Sequence, residues 1–303
     1  MLLDPPPRRP PRPRARRALA PPLTPALRLP RARAPQNVAC NSVASPPWEH
    51  GYYARLLPAL ITSWRALFRV HFAALVVQLA PFGAADPLPA ARTASAFPQM
   101  RFAQDAALGV PNSAVASIID LGDDGRTIWT PPTCGFHGGI HPRNKTEVGR
   151  RVALQLAQLE GALPAGALAA GPLPTDFSAA PPGGLTVSFA ASSVPGGFLQ
   201  LAPTADCASV LRPPFNSTCC QASATAPGAE GTYPFELRLA DGATWVLAAA
   251  TVDSDGGFVT LDLAPLAPAA GAATGVRFGV QGFPTCALLN AAGLPMAPFQ
   301  KEL

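Results

Sequence analysis

The chain has 303 residues, of which 48% are hydrophobic, and this is enough for one large domain or two modest ones. Its net charge of +5 is misleading, because nine arginines and one aspartate lie in the first 36 residues. The remainder keeps 14 of the 23 basic and 17 of the 18 acidic side chains, so no basic face for nucleic acid is predicted. No run of 18 apolar residues occurs, so the sequence predicts no membrane span.

Residues 1–36 are dense in proline and arginine, with eleven prolines up to Pro35. Proline cannot propagate a helix or join a sheet, and the arginines repel one another, so we expect this segment to be disordered. A ligand for an SH3-type domain and a basic arm for nucleic acid or acidic partners are functional alternatives. The simpler interpretation is a terminus without a role, or sequence that is not the true start of the gene product. The segment contains no apolar stretch typical of a secretory signal peptide.

Residues 37–163 predict alternating helices and buried strands. Helical spacing of apolar residues favours a helix from Gly51 to about His71. The valine-rich run Ala73–Leu79 is typical of a parallel strand that is buried on both faces. A helix near Arg101–Leu108 leads to a second such strand over Ala114–Leu121. After an insertion from Gly122 to Gly139, a further helix is predicted over Lys145–Leu159.

Residues 164–303 have a different character, because prolines and glycines separate short apolar runs. The predicted strands are Leu185–Ala190, Gly197–Leu201, Phe235–Leu239, Thr244–Thr251, Gly257–Leu263 and Gly275–Gln281. We interpret this part as an all-β module that packs on the α/β part.

The cysteines favour an oxidising compartment over a metal site. Six are present, and they lack the paired short spacings of a zinc site. Cys207 and the vicinal pair Cys219 and Cys220 predict a loop that contains disulfides. Two N-glycosylation sequons begin at Asn144 and Asn216. The second is plausible beside the cysteines, whereas we interpret the first as a chance match, since a glycan there would crowd the candidate site.

Several short segments, called the motif segments below, follow one another in the order of a known family. Along the chain they are Tyr53-Ala54-Arg55-Leu56-Leu57-Pro58-Ala59-Leu60-Ile61 with Trp64-Arg65, Val76-Val77-Gln78-Leu79, Phe97-Pro98-Gln99-Met100-Arg101 with Gln104, Ile119-Asp120-Leu121-Gly122-Asp123, Ile140-His141-Pro142-Arg143-Asn144-Lys145 with the helix after it, Gly171-Pro172, and Gly293-Leu294-Pro295-Met296-Ala297-Pro298-Phe299. Together they resemble the sialate O-acetylesterase family over about residues 37–300.

The resemblance implies an α/β fold: a partial SGNH-hydrolase domain with a flavodoxin-like parallel sheet over residues 37–163, then the smaller all-β module over 164–303. It implies a carboxylic ester hydrolase that removes O-acetyl groups from sialic acid or related sugars, without metal or cofactor. The implied partner is an O-acetylated sugar or glycan. The implied location is the secretory pathway, lysosomal or extracellular, while the oligomeric state is left open.

His141 matches the catalytic histidine of that family, and the resemblance assigns it the roles of general base and then general acid. The proline after it and a capped helix would hold it over a pocket. Asn144 is expected to cap this helix, with Glu147 completing a capping box.

The remaining catalytic groups match the family less well. Asn37 matches the oxyanion asparagine, although no glycine precedes it. Gly139 stands where many members carry an aspartate, so Asp123, Asp124 or a backbone carbonyl would have to orient the histidine. No serine lies in a Gly-x-Ser or Gly-Asp-Ser context, and the nucleophile is therefore missing.

These gaps indicate the latter portion of an esterase whose first half is absent. The strands around Val77 and Ile118 would then lack partners on their apolar faces, and the isolated chain is expected to be unstable or prone to aggregation. Two other functions stay open: acetylesterase action on a plant-type polysaccharide, and a non-catalytic glycan-binding remnant.

Overall fold

The structure is a computed structural model, and it describes residues 48–81, 96–122, 142, 144–180, 184–203, 234–253, 255–262, 273–282, 284 and 286–303. All of them belong to the unit Asn37–Leu303. Residues 1–36, which the sequence predicts to be disordered, lie outside the described residues.

The described part contains helices first and strands afterwards. The helices are α1 (Trp48–Phe68), α2 (Ala96–Gln104), a 3₁₀ helix (Asp105–Gly109) directly after α2, and α3 (Lys145–Leu159). A short 3₁₀ turn covers Pro195–Gly197. The strands are β1 (Ala74–Val77), β2 (Ser113–Ala116), β3 (Pro174–Ala180), β4 (Gly184–Phe189), β5 (Leu199–Pro203), β6 (Phe235–Arg238), β7 (Trp245–Leu247), β8 (Ala249–Asp253), β9 (Phe258–Asp262), β10 (Gly275–Phe278), β11 (Cys286–Asn290) and β12 (Phe299–Glu302).

The α/β part is built on two parallel strands. β1 pairs with β2 in the register Ala74 to Ser113 through Val77 to Ala116. Successive side chains of a strand point to opposite faces. On one face Val76 packs with Ile61 of α1, and on the other Val77 packs with Val148 of α3. The short parallel sheet therefore has a helix on each side. The sequence predicts a strand buried on both faces, whereas only Ala74 of β1 is buried and the other three residues are half-buried.

The β-rich part consists of antiparallel sheets. Two have four strands, in the orders β12-β10-β6-β7 and β3-β4-β9-β8, and β11 pairs with β5. Alternate residues such as Val187, Val259 and Leu261 are fully buried in one common core. A buried ion pair joins Glu236 on β6 to Arg277 opposite it on β10, with Nε and Oε2 2.9 Å apart.

Three strands were not expected from the sequence: β3, β11 and β12. β3 and β12 are edge strands with exposed polar residues, so neither shows the apolar pattern of a core strand. The expected strand over Thr244–Thr251 is two strands, because β7 pairs with β6 while β8 pairs with β9 in another sheet. The general plan of an α/β part followed by a β-rich part is confirmed. The SGNH-hydrolase type and the domain boundaries stay predictions.

The expectation of open strand faces at Val77 and Ile118 needs correction. Ile118 is only 4% exposed and packs with Ala80 and Leu121, while Val77 is half-buried against Val148. α3 covers this face. Exposed apolar surface lies instead along α1, where Leu60, Trp64 and Leu67 are 43%, 47% and 73% exposed. Within the described ranges, the structure contains no helix that is long and apolar enough to cross a membrane.

Candidate active site

The loop of the predicted histidine is bracketed by two described residues. Pro142 is buried, and Asn144 caps α3, since its Oδ1 accepts a hydrogen bond from the backbone N–H of Glu147 at 3.1 Å. His141 itself lies outside the described residues, so its catalytic role stays a prediction. The same applies to the other sequence-predicted site residues: Asn37, Asp123, Asp124 and Gly139.

The predicted capping box forms only in part. The Glu147 carboxylate does not turn back to the start of the helix but accepts hydrogen bonds from the Nε of Arg150 at 2.7 Å and the Nε of Arg151 at 2.8 Å. The hydrogen bond from Arg150, partly offset by burial and reinforced by Arg151, lowers the pKa of Glu147 below its usual value. Two guanidinium groups attract a carboxylate more strongly than one backbone N–H does, and this explains the difference.

Arg151 ties α3 to the end of β2. Its Nη1 donates to Asp120 Oδ1 at 2.5 Å and its Nη2 donates to Asp120 Oδ2 at 2.7 Å, while Nη1 also donates to the Ser117 carbonyl at 3.1 Å. The Arg151 side chain is 4% exposed. Such a bidentate ion pair fixes the orientation of the two side chains as well as the distance between them. It therefore positions the start of α3, and the loop ahead of it, relative to the parallel sheet.

Arg101 joins the end of β1 to the β-rich part. Its fully buried guanidinium donates to the carbonyls of Leu79 at 2.9 Å and Ala80 at 3.3 Å, and to those of Gln281 at 2.8 Å and Gly282 at 2.9 Å. Burial lowers the pKa of Arg101 to about 9. The four carbonyl acceptors keep it protonated at neutral pH and make it a bridge between two parts of the chain.

Two glutamines complete the contacts at the end of β1. Gln104 accepts from the Leu79 N–H at 2.8 Å and donates to the Val77 carbonyl at 3.2 Å, and it also binds the hydroxyl of Tyr53 on α1. Gln78 is buried and donates to Asp105 Oδ1 at 2.8 Å. The carboxyl end of β1 is thus held by side chains from α1 and α2.

Two glycines of the β-rich part allow close approach, Gly171 to the carboxyl-terminal segment and Gly279 to the α/β part. A Cβ at Gly171 would lie 2.0 Å from the Pro295 carbonyl oxygen, and one at Gly279 would lie 2.6 Å from Cδ1 of Ile119. Gly279 also has a φ of +66°, which disfavours other residues there. Gly171 therefore lies directly against the backbone of Pro295, and Gly279 lies against the side chain of Ile119.

A cavity of about 420 Å³ lies beside β2, on the side of the later half of α3. Its polar wall residues include Asp105, Ser117, Gln158 and Ser192. The Oγ of Ser117 is buried and has no hydrogen-bond partner. Burial, partly offset by the hydrogen bond from Gln78, raises the pKa of Asp105 to about 6. The cavity is lined by α3 from Arg151 onwards, whereas His141 precedes the start of that helix, so we do not assign the cavity to the ester-cleaving site.

The described residues do not by themselves contain a complete set of catalytic residues. In the ranges that the structure describes, no hydrogen bond joins a serine to a histidine, and no cluster of His, Cys, Asp and Glu has the size to hold a metal ion. They do contain the contacts that hold the segments around the predicted loop, which we call the frame: the Asn144 cap, the pair of Arg151 with Asp120, and the hydrogen bonds of Arg101.

The fold is similar to that of a solved enzyme. The crystal structure of XAC1771, described as a novel carbohydrate acetylesterase from Xanthomonas citri, matches with a TM-score of 0.56 and 24% sequence identity. The match covers 83% of this chain and 46% of that chain, so this chain spans less than half the length of the structure it resembles. No protein-family model and no curated protein matches the sequence. At this identity the match shows a shared fold.

Sequence reasoning missed the contacts that hold the frame together. Arg101 and Arg151 belong to motif segments, but the sequence does not show what they bind. Arg101 binds backbone carbonyls and Arg151 binds the Asp120 carboxylate, and most of these partners are distant along the chain. A signal was present, since each arginine occupies the apolar face of its helix. An arginine at a core position predicts a buried partner.

Proposed function

We propose that this chain is part of a carbohydrate O-acetylesterase of the sialate O-acetylesterase type, in which His141 is the general base and acid. One observation carries the proposal: the motif segments meet in space. Arg101 binds the Leu79 carbonyl, and Arg151 binds Asp120. Gly171 lies against Pro295. Segments that matched the family only by chance would have no reason to contact one another.

The similar solved structure supports the general part of this proposal. It is described as a carbohydrate acetylesterase, and its shared fold favours acetyl-ester hydrolysis on carbohydrates. Sialic acid as the substrate rests on the motif resemblance alone. A plant-type polysaccharide acetylesterase is the alternative with the same chemistry.

In the proposed reaction a serine hydroxyl attacks the acetyl carbonyl while the His141 imidazole takes the hydroxyl proton. The imidazolium then gives this proton to the departing sugar oxygen, which leaves an acetyl-serine. Water attacks the acetyl-serine with His141 again as base, and acetate and free serine result. Because no serine here stands in a suitable context, we place the nucleophile on polypeptide outside these 303 residues.

The test supplies the polypeptide that the similar structure has beyond the matched part. The full chain is mixed with the rest of the XAC1771 chain, meaning the part outside the match, and hydrolysis of p-nitrophenyl acetate is measured. We expect the mixture to exceed either part alone, and His141→Ala to lower its rate about 10³-fold or more. His71→Ala, at an exposed histidine, is the control and should leave the rate unchanged.

Two outcomes would contradict the proposal: hydrolysis by the mixture that survives His141→Ala, or no hydrolysis by a mixture that demonstrably associates. An enzymatic rate from this chain alone would refute the placement of the serine elsewhere. Rates on O-acetylated sialic acid and on acetylated xylan separate the two esterase alternatives. Binding of either glycan without turnover would favour the glycan-binding remnant.

We also propose that the protein works in the secretory pathway. Cys286 is disulfide-bonded. Disulfides persist in oxidising compartments. The finding agrees with the location that the resemblance implies.

A further inference from the structure

The cavity beside β2, which we call the β2 cavity, has the form of a site for a small molecule. Its volume is about 420 Å³, and ligand sites are commonly concave spaces of about 300–1,000 Å³. The 3₁₀ helix after α2, the strand β2, α3 and the β-rich part all contribute to its wall. The proposed ester cleavage makes no use of this cavity, so its shape and chemistry require a separate explanation.

Most of the described wall is aliphatic. Leu108, Val115, Leu163, Leu168 and Leu173 line it together with several alanines. Leu108 and Leu173 are each 59% exposed, so a bound molecule would cover apolar surface that now contacts water. No aromatic side chain belongs to the described wall. A wall of this kind favours a ligand with an aliphatic body.

The described wall has two ionisable residues, and the charge of only one of them is compensated by an ion pair. The Arg151 guanidinium binds both oxygens of the Asp120 carboxylate and also Glu147. Asp105 accepts a hydrogen bond from Gln78 at 2.8 Å and has no ion-pair partner among the described residues. The pKa of Asp105 is about 6, so its carboxyl group is ionised at pH 7. The cavity therefore has one uncompensated negative charge in its described wall.

A polar atom without a partner lies in the same wall. Ser117 follows β2 and lies beside Gln78 across the two strands, because Val77 pairs with Ala116 and the register continues. Paired residues of neighbouring strands point to the same face, so Ser117 shares a face with Gln78, which binds Asp105. The Ser117 Oγ is buried and has no hydrogen-bond partner. A buried polar atom normally has one, and a ligand with several donors would supply it.

The wall disfavours two common classes of ligand. An anionic ligand would be repelled by Asp105, and the charge of Arg151 is already compensated. A sugar would place several hydroxyl groups against leucine side chains, where they would lack hydrogen-bond partners. The class that fits the wall combines an aliphatic chain with a positively charged donor group.

We infer that the β2 cavity binds a small aliphatic amine in its protonated form, with the ammonium group at the Asp105 carboxylate and the aliphatic chain against the leucines. An ammonium group has three N–H donors, so it can bind the Asp105 carboxylate and the Ser117 hydroxyl together. Burial of the Asp105 carboxylate costs stability, and binding sites commonly retain groups of this kind. Binding of an amine here does not require the ester-cleaving site.

Three probes of six carbon atoms test the head group: hexylammonium, 1-hexanol and hexanoate. Each is titrated into the full chain at pH 7, and binding is followed by NMR of the leucine methyl groups. We expect hexylammonium to bind at least about 10-fold more tightly than hexanol, as for a hydrogen bond between charged groups, and hexanoate to bind most weakly. The methyl signals of Leu108 and Leu173 should shift, whereas those of Leu56, an exposed leucine of α1, should not.

Asp105→Asn removes the charge and keeps an oxygen that accepts from Gln78. It should raise the dissociation constant of hexylammonium at least about 10-fold, to that of hexanol, and leave hexanol binding unchanged. Asp176→Asn is the matched control, because it removes the same charge from an exposed position of β3 outside the described wall. This control should bind all three probes like the unaltered chain. Circular dichroism establishes that both variants are folded.

Equal affinity for hexylammonium and hexanol would overturn the inference, and so would a preference for the ammonium that Asp105→Asn leaves intact. Absence of binding by every probe would overturn it as well, as would Leu56 signals that shift as strongly as those of the cavity leucines. A lysine side chain ends in the same ammonium group, so a short peptide with a central lysine is the last probe. If Asp105 is needed for this peptide to bind more tightly than hexylammonium, the cavity receives a side chain of a partner protein, and the assignment to a small amine is wrong.

Discussion

Arg101 and Asp105 lie four residues apart at the end of α2, and burial disfavours the charge of both. Burial lowers the pKa of Arg101 to about 9 and raises the pKa of Asp105 to about 6. Arg101 is compensated by four carbonyl oxygens, whereas Asp105 has one side-chain donor, Gln78. At the scale of single residues, Arg101 is thus a structural bridge, whereas the ionised Asp105 carboxylate lowers the stability of the folded state.

Asp105→Asn should stabilise the protein at neutral pH. The pKa of this aspartate is about 6 in the folded state and about 3.9 in the unfolded state. The folded state therefore binds the proton more tightly, and stability is lost as the pH rises from about 4 to 6. Asparagine keeps the oxygen that accepts from Gln78 and removes the charge. We expect the free energy of unfolding to rise by about 1–3 kcal/mol at pH 7 and to change little at pH 4.

Urea unfolding of both proteins between pH 4 and pH 8 measures this difference. Asp176→Asn, at an exposed aspartate of β3, is the control and should show no such pH dependence. A gain from Asp105→Asn that is equal at pH 4 and pH 7 would show that the effect does not come from ionisation.

At the scale of elements, α3 is the helix that matters for the candidate site. Its start is fixed by the Asn144 cap and its direction by the pair between Arg151 and Asp120. The sequence predicts the cap and the helix limits, Lys145–Leu159, because both depend on neighbours along the chain. It does not predict the pair, because Asp120 is 31 residues away.

Asp120→Asn should loosen α3. It leaves the buried Arg151 guanidinium with only Glu147 as a carboxylate partner, and breaking a buried pair from one side costs about 3–5 kcal/mol. We expect a loss of about 2–4 kcal/mol, somewhat less because Glu147 remains. Urea unfolding gives the total, and amide hydrogen exchange should show the α3 amides losing protection first.

The double variant Asp120→Asn with Arg151→Met separates the pair from general damage. If the pair is the cause, the two losses will not add, because the second change removes the charge that the first one leaves unpaired. Fully additive losses would mean that the two residues act independently.

At the scale of the whole molecule, the α/β part and the β-rich part are joined by polar bridges and close backbone approach. Arg101 of α2 donates to the Gln281 and Gly282 carbonyls, and Gly279 lies against the side chain of Ile119. The β-rich part also carries the disulfide of Cys286. Among the described strands, the parallel sheet of β1 and β2 has no partner at the outer edge of β1.

Reduction of the Cys286 disulfide should destabilise the β-rich part. β11, which begins at Cys286, pairs with β5, so release of this cross-link frees one end of a small sheet. We expect a loss of about 2–5 kcal/mol in the free energy of unfolding. Denaturant unfolding with and without reductant measures it, and Cys286→Ser should make the protein insensitive to this part of the effect.

Peptide mapping under non-reducing conditions identifies the partner cysteine. The sequence favours the region of Cys207, Cys219 and Cys220 as a source of disulfides. Alkylation of Cys286 in the native, unreduced protein would contradict the cross-link altogether.

The sequence by itself determined the order of the parts, the parallel strands around Val76 and Val115, and the helix after His141. These features follow from short-range patterns: apolar runs, helical spacing and a capping residue. The motif segments also predict the site residues, and this stays a prediction because His141 and Asn37 lie outside the described residues.

Only the tertiary structure decided what Arg101 and Arg151 bind, how Thr244–Thr251 divides between two sheets, and which apolar surface stays open. Each of these depends on groups that are distant along the chain, and a local pattern contains no information about them. The exposed apolar residues of α1, such as Leu60 and Trp64, show the difference most clearly. The sequence indicates an apolar helix, but only its packing shows that one side is covered and the other is not.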